Sequence, residues 1–272
     1  MLGEEFRARL GAGELLLGCN VRHSRTSEIG AILRDCGFHW LMLDNEHSPM
    51  PSDKIYDIGL AAIRAGVAPL ARARQNDPAE IGSHLTNGML GVIVPHVNTA
   101  LGAALAAKSC RFPPDGDLSV PGSIPQFGYG RDLAEAARLF NRNVLVVVMI
   151  ESREALANLD SIAATPGIDV LFIGASDLIY DLGIPGDYAN PLLSEAVRRV
   201  CSAARAAGKF AGLGGIKDDR DWVRFVGFGV QFVLTENDLT MLIRRARERA
   251  AFFNGIPRTA FAALGQSAEP VR

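Results

Sequence analysis

The segment VLVVVMIESREALANLDSIAATPGIDVLFIGASDLIYD, residues 144–181, constrains the fold more than any other part of the chain. It opens on an uninterrupted apolar, β-branched run from Val144 to Ile150, the pattern of a strand buried on both faces of a parallel sheet. Glu151 ends the run. Ser152 is placed to cap a helix whose Leu156, Leu159, Ile162 and Ala163 follow at helical spacing. Pro166 and Gly167 interrupt it, Val170 to Ile173 form a second apolar run, and Gly174 opens a loop ending in Asp177. In a right-handed βαβ unit the two strands are parallel, so Glu151 and Asp177 emerge at the same face. Each alone could merely cap the following helix. Two carboxylates converging beyond buried strands repel each other unless a cation lies between them, so the pair reads as a divalent metal site.

The same alternation runs along most of the 272 residues. Strands are expected at 15–21, 38–43, 68–72, 91–95, 144–150, 170–173, 209–213 and 230–235, separated by helical segments. Eight strands over about 250 residues is the count and size of a (β/α)8 TIM barrel. The expected organisation is a single α/β domain over 1–256, with 257–272 as a C-terminal arm or tail. A doubly wound sheet is the alternative, weakened because no strand is followed by a Gly-rich dinucleotide fingerprint or a P-loop. The cluster GLGG at 212–215 follows the seventh strand, where some barrels hold a phosphate, and reads equally well as a tight turn. Residues 110–130 hold four prolines and four glycines and must form a long loop, a feature that is usually functional. A basic amphipathic helix closes the pattern at 239–252.

Apolar residues make up 48% of the chain and charged residues 21%, which excludes wholesale disorder. A formal net charge of −2 points to neither nucleic acid nor an anionic membrane as partner. The longest apolar runs are far shorter than a membrane span. Residues 1–14 carry Glu4, Glu5 and Glu14 and no apolar core of a secretory signal. The four cysteines, Cys19, Cys36, Cys110 and Cys201, show no CxxC pair and no metal-ligand spacing. A cytoplasmic protein with reduced thiols is expected.

Chemistry in a barrel sits where the strands end at their C-termini. The polar groups found there are Asp44 and His47 after the second strand, Arg72 closing the third, Glu151 after the fifth and Asp177 after the sixth. Arg72 follows Ala68-Pro69-Leu70-Ala71, and a guanidinium at the end of a buried strand needs an anionic partner. Asp44 is placed to fix the tautomer of His47 and make it a general base, although a lone loop histidine often has no such role.

These motifs carry a family resemblance. GFHWLMLDNEHSP (37–49), PLARARQNDP (69–78), GVIVPHVNTA (91–100), RFPPDG (111–116), IESREALANL (150–159) and VLFIGASDL (170–178) together resemble the HpcH/HpaI aldolases, metal-dependent class II pyruvate aldolases, from about residue 17 to 249. The resemblance implies that Glu151 and Asp177 hold Mg²⁺ or Mn²⁺, with Co²⁺ or Zn²⁺ as alternatives. It implies that a 2-oxo acid chelates this ion, that Arg72 binds the keto oxygen and its enolate, and that His47 with Asp44 transfers protons. Backbone N–H groups of Ser176 and Asp177 would meet the donor carboxylate, and Ser123 in the long loop is a lesser candidate. The implied reaction is reversible retro-aldol cleavage of a 4-hydroxy-2-oxo acid to pyruvate, or a related 2-oxo acid, and an aldehyde through a metal-bound enolate. No lysine stands at these strand ends to form a Schiff base. The family also implies a homohexamer, a trimer of dimers that exchange the last helix.

Three positions depart from the family pattern. Met149 replaces the glutamine that usually orients the donor, Leu118 and Ser119 replace an arginine and a glycine in the FPPDGDLS segment, and the loop RHSRTSE after the first strand differs from the usual small, polar version. They imply the same enolate chemistry on an altered substrate, bulkier or poorer in carboxylates. Two other readings use the same residues differently. One is a 2-oxo acid decarboxylase or citrate-lyase-like enzyme working through the same enolate. The other is an inactive metabolite-binding barrel, against which the co-occurrence of Glu151, Asp177 and Arg72 argues.

Overall fold

The computed structural model describes residues 2–256; the arm expected at 257–272 lies outside them. In chain order the elements are α1 (Leu2–Gly11), β1 (Leu16–Val21), α2 (Ile29–Asp35), β2 (Trp40–Asp44), α3 (Ser52–Ala65), β3 (Ala68–Arg72), α4 (Pro78–Thr86), β4 (Gly91–Val94) and α5 (Ala100–Ser109). There follow α6 (Leu133–Asn143), β5 (Leu145–Ile150), α7 (Arg153–Ala157), α8 (Leu159–Ala164), β6 (Val170–Gly174), α9 (Ala175–Asp181), α10 (Pro191–Ala206), β7 (Phe210–Gly214), α11 (Asp219–Val226), β8 (Val230–Asn237) and α12 (Asp238–Asn254). The eight strands close in sequence order, every neighbouring pair parallel, into a (β/α)8 barrel. This is the architecture expected from the strand count.

Side chains of alternating strand positions divide between two cores, as the two-residue period of a strand requires. Leu16, Trp40, Met42, Leu70, Leu145, Val147, Met149, Phe172 and Phe232 fill the barrel, while Leu41, Leu43, Val92, Val146, Val148 and Leu171 face the surrounding helices. Trp40 stacks on Phe232 with ring centroids 4.0 Å apart and donates its indole N–H to the Leu16 carbonyl at 3.2 Å. It enters because β1 has Gly18 opposite, where a Cβ would lie 2.0 Å from the indole ring.

Three local features differ from the sequence reading. Helix α1 lacks a strong amphipathic signal, yet it closes the base of the barrel by inserting Phe6 and Leu10. It is held there by Arg7, which pairs with Asp169 at 2.7 Å. The helix expected after Ser152 is broken at Asn158, whose amide donates to the Asn98 carbonyl at 2.9 Å. No loop separates β6 from Asp177: the chain turns into α9 directly after Gly174. Residues 110–132 contain a single 3-10 turn, Pro125–Phe127, and otherwise run irregularly.

Candidate active site

Asp44 and Arg72 are the last residues of β2 and β3 and stand opposite each other in the sheet register. Arg72 donates Nε to Asp44 Oδ1 at 3.0 Å and Nη2 to Oδ2 at 2.7 Å, a bidentate pair. Asp44 is fully buried, which by itself would raise its pKa. The two Arg72 N–H groups, the arginine charge, the His47 backbone N–H and the Asn20 amide outweigh burial, and its carboxyl lies below the usual range. Arg72 in turn is held more firmly protonated, its burial offset by Asp44, Glu46 and Glu151. Its remaining Nη1 lies 3.0 Å from Glu46 Oε2.

The expected Asp44–His47 ring contact is absent. Asp44 Oδ1 takes the backbone N–H of His47 at 3.1 Å instead, because the chain turns tightly through 44–47. The half-exposed ring presents Nδ1 to Arg72 Nη2 at 3.3 Å and to Glu46 Oε2 at 3.4 Å. Glu46 therefore stands where a ring-orienting carboxylate was expected of Asp44.

Across the mouth, Glu151 is buried beyond β5. Its Oε1 accepts the His96 backbone N–H at 2.7 Å and lies 2.9 Å from His96 Nδ1. Burial pushes the Glu151 carboxyl up, His96 draws it back, and the charges of Asp177 and Glu46 raise it further. Asp177 is exposed in the first turn of α9, with Ser176 beside it. Gly174 lies under the acid: a Cβ there would come within 2.6 Å of Glu151 Oε2 and 2.9 Å of the Met149 methyl. Met149 points into the barrel directly below Glu151, as the two-residue spacing on β5 dictates. Ser123 is exposed in the long loop. Its loop joins α5 to α6, lays Leu118 against Gly82 on α4, and is tied by Gln126 to the carbonyls of Leu85 and Met89.

His96 joins the two halves. Its Nε2 is 3.4 Å from Glu46 Oε1, so Arg72, Glu46, His96 and Glu151 form a continuous chain of polar contacts around the opening. Among the described residues it is the only non-glycine with positive φ, at 53°. That backbone turn aims its N–H and its ring at the same carboxylate oxygen.

The donor chemistry of this mouth fits a hard divalent cation. Glu151 and Asp177 supply oxygen atoms, the missing side chain of Gly174 leaves space beside Glu151 Oε2, and burial disfavours the ionised acid without a counter-charge. Among the described residues no group of three or more His, Cys, Asp or Glu converges enough to hold a metal alone. Such an ion would complete its shell with substrate oxygens and water, the usual arrangement for Mg²⁺.

Residues 23–243 match the family described as HpcH/HpaI aldolase/citrate lyase. The chain belongs to this family. The 5-keto-4-deoxy-D-glucarate aldolase of Escherichia coli (strain K12) is 32% identical over 249 residues, 91% of this chain and 95% of that one. The 4-hydroxy-4-methyl-2-oxoglutarate aldolase of Chaetomium globosum is 31% identical over 251 residues, 89% of this chain and 92% of that one. An HpcH/HpaI aldolase structure from Desulfitobacterium hafniense DCB-2 has a TM-score of 0.86 at 27% identity, covering 92% of this chain and 97% of that one. Within the HpcH/HpaI family this protein is a carbon–carbon lyase. Its mouth also contains two residues that the sequence reading left without a role, Glu46 and His96. Both carried a signal: Glu46 lies inside DNEH, and the search for polar groups beyond strand ends reaches His96 when applied to β4.

Proposed function

We propose that the protein is a class II aldolase that cleaves a 4-hydroxy-2-oxo acid to pyruvate, or a related 2-oxo acid, and an aldehyde. The observation that carries this reading is Arg72, locked bidentately on Asp44 at a mouth that also holds the Glu151 and Asp177 carboxylates. A divalent cation at Glu151 and Asp177, with Mg²⁺ or Mn²⁺ best suited to two carboxylates, supplies Lewis-acid stabilisation of developing negative charge. Arg72 keeps one edge on Asp44 and turns the second N–H of Nη1, beside its Glu46 contact, to the 2-oxo oxygen, whose charge grows as the C3–C4 bond breaks. His47 is the base, its ring held at the mouth by Glu46 Oε2 at 3.4 Å and Arg72 Nη2 at 3.3 Å. His47 takes the proton of the C4 hydroxyl, the aldehyde departs, and the same proton returns to C3 of the enolate. Backbone N–H groups at Ser176 and Asp177, in the first turn of α9, suit the donor carboxylate. Met149 replaces an amide with a thioether beneath the donor, which favours a substrate with an altered or bulkier donor end.

A hexamer built from dimers that exchange α12 is part of this reading. Helix α12 buries no residue in its own chain and leaves Leu242, Phe252 and Phe253 exposed. A groove of about 880 Å³ beside it is of mixed character, lined by Leu17, Trp222 and Val233 together with Glu236, Asn237 and Arg244. A cytoplasmic setting agrees with four free cysteines and with the absence, among the described residues, of any helix long and apolar enough to cross a membrane.

The test is exchange of the C3 protons of pyruvate in D₂O with Mg²⁺ or Mn²⁺ and with chelator. Metal-dependent exchange that disappears in Glu151→Gln is expected. Metal binding without exchange would move the donor away from pyruvate, and neither binding nor exchange would overturn the reading.

A further inference from the structure

Behind the mouth, on the helix side of the barrel, lies a second buried polar group to which the mechanism above gives no task. The buried polar side chains among the described residues are Asp44, Asn45, His84, Ser109, Asn143, Glu151 and Thr165. Asp44 and Glu151 belong to the mouth; Asn45 and His84 stand next to each other directly behind it. Asn45, in the 44–47 turn, points toward α4, and its amide nitrogen lies 3.1 Å from His84 Nε2 and 3.5 Å from Nδ1. Its backbone N–H donates to the Arg72 carbonyl at 3.1 Å, so Asn45 is tied to β3 as well.

His84 sits on α4, one turn after Glu80, and its Nε2 is 3.5 Å from Glu80 Oε1. That same oxygen accepts the backbone N–H of Arg74 at 3.2 Å. Arg74 lies two residues beyond Arg72, in the turn leading from β3 to the Asp77 cap of α4. One buried imidazole is thus in contact with Asn45 of the turn that follows Asp44 and with Glu80, whose carboxylate holds the turn that follows Arg72. Burying an imidazole and an amide is unfavourable compared with an apolar pair of the same volume. Both are only 6% exposed, and Asn45 Oδ1 has no hydrogen-bond partner, so packing alone does not account for them.

We propose that His84 is a positioning residue that sets the Asp44–Arg72 pair by bracing the turns after β2 and β3 against α4 through Asn45 and Glu80. The inference rests on the aldolase reading, in which Arg72 meets the oxygen that becomes negative in the transition state. A guanidinium displaced by a fraction of an ångström still attracts a bound 2-oxo acid but no longer matches the charge that develops. The loss therefore falls on turnover more than on substrate affinity.

The experiment compares wild type, His84→Ala, His84→Gln and Asn45→Ala for pyruvate C3 exchange at saturating Mn²⁺, with kcat and KM resolved and Mn²⁺ affinity measured by calorimetry. Glutamine is the rescuing variant because its terminal amide reaches the place of the imidazole Nε2. His84→Ala and Asn45→Ala are expected to lower kcat by about 10- to 100-fold, the range for residues that orient an active-site group. KM and Mn²⁺ affinity stay within about threefold, and His84→Gln recovers most of the lost kcat. If His84→Ala does not fold, Asn45→Ala and His84→Gln decide the matter alone. Unchanged kcat in folded His84→Ala or Asn45→Ala would overturn the proposal, as would a loss confined to KM or one that glutamine does not recover. Absence of exchange in the wild type retires the aldolase reading, and this inference with it.

Discussion

The two sides of the barrel mouth solve opposite electrostatic problems. On the β2–β3 side Asp44 is buried like Glu151, yet it lies below its usual pKa because Arg72 meets it with two N–H groups at 3.0 and 2.7 Å. On the β5–β6 side Glu151 has one backbone N–H and an exposed imidazole, and it lies above its usual pKa. One side carries its counter-ion in the chain; the other is short of positive charge. Burial is similar, so the difference rests on the partner. The β2–β3 side is a closed electrostatic pair, and the β5–β6 side has the unmet negative charge that the proposed cation would neutralise.

The largest expected effect is loss of activity from either side, with stability moving in opposite directions. Glu151→Gln should lower exchange by about a thousandfold or more, since it removes a charged ligand of the proposed ion. It should leave the metal-free protein as stable as wild type or more so, because an ionised acid short of counter-charge has been removed. Asp44→Asn also disables Arg72 but should destabilise by about 3 kcal/mol, the scale for breaking a buried pair and stranding its partner. Chemical denaturation of both variants without metal reads this contrast. Equal destabilisation by both would erase the distinction between the two sides.

Titration should sharpen the same comparison. A raised folded pKa means that the Glu151 contribution is fully present below the ordinary carboxylate range and is lost as pH rises through the folded value. A lowered one means that the Asp44 contribution is present above the ordinary range and is lost as pH falls through its own value. Stability of metal-free wild type relative to Glu151→Gln should therefore improve on mild acidification from neutral pH. The advantage of wild type over Asp44→Asn should persist through the same range and fade only at lower pH. The measurement is unfolding free energy against pH for the three proteins in chelator. A parallel pH dependence for both differences would contradict the assignment.

Much of the frame was legible in the chain itself, and the reason is local. Runs such as Val144 to Ile150 must be buried on both faces, and the polar residue ending each run must lie at the rim; this is why Asp44, Arg72, Glu151 and Asp177 stand out in the sequence alone. What escaped depends on contacts between distant segments. Helix α1 gains its place only from the base of a closed barrel that receives Phe6 and Leu10. His96 gains its partners only because a backbone at φ 53° after Pro95 turns its backbone N–H and ring Nδ1 toward Glu151 and leaves Nε2 facing Glu46. Glu46 and Asp44 differ by two residues, and nothing in DNEH says which carboxylate meets the ring of His47. The breadth of the Arg72 network, with Glu46 on its remaining edge, is likewise a property of neighbouring strand ends in three dimensions.

The smallest expected effect concerns the floor of the cation side. Met149 is nearly fully buried, and its methyl stands beside Gly174, directly below Glu151. Met149→Gln is close in volume and places an amide at the level where a 2-oxo acid would rest. Its N–H group can reach donor oxygens, so KM for pyruvate should fall by about three- to tenfold while kcat changes little, the pattern of added uniform binding. Without ligand the same amide is buried and short of partners, which should cost about 1 kcal/mol of stability. Substrate should restore more stability to the variant than to wild type. A thermal shift series with and without pyruvate, beside the exchange kinetics, measures both halves. An unchanged KM would mean that the donor does not reach Met149, and that its specificity is set instead by the strand ends above it.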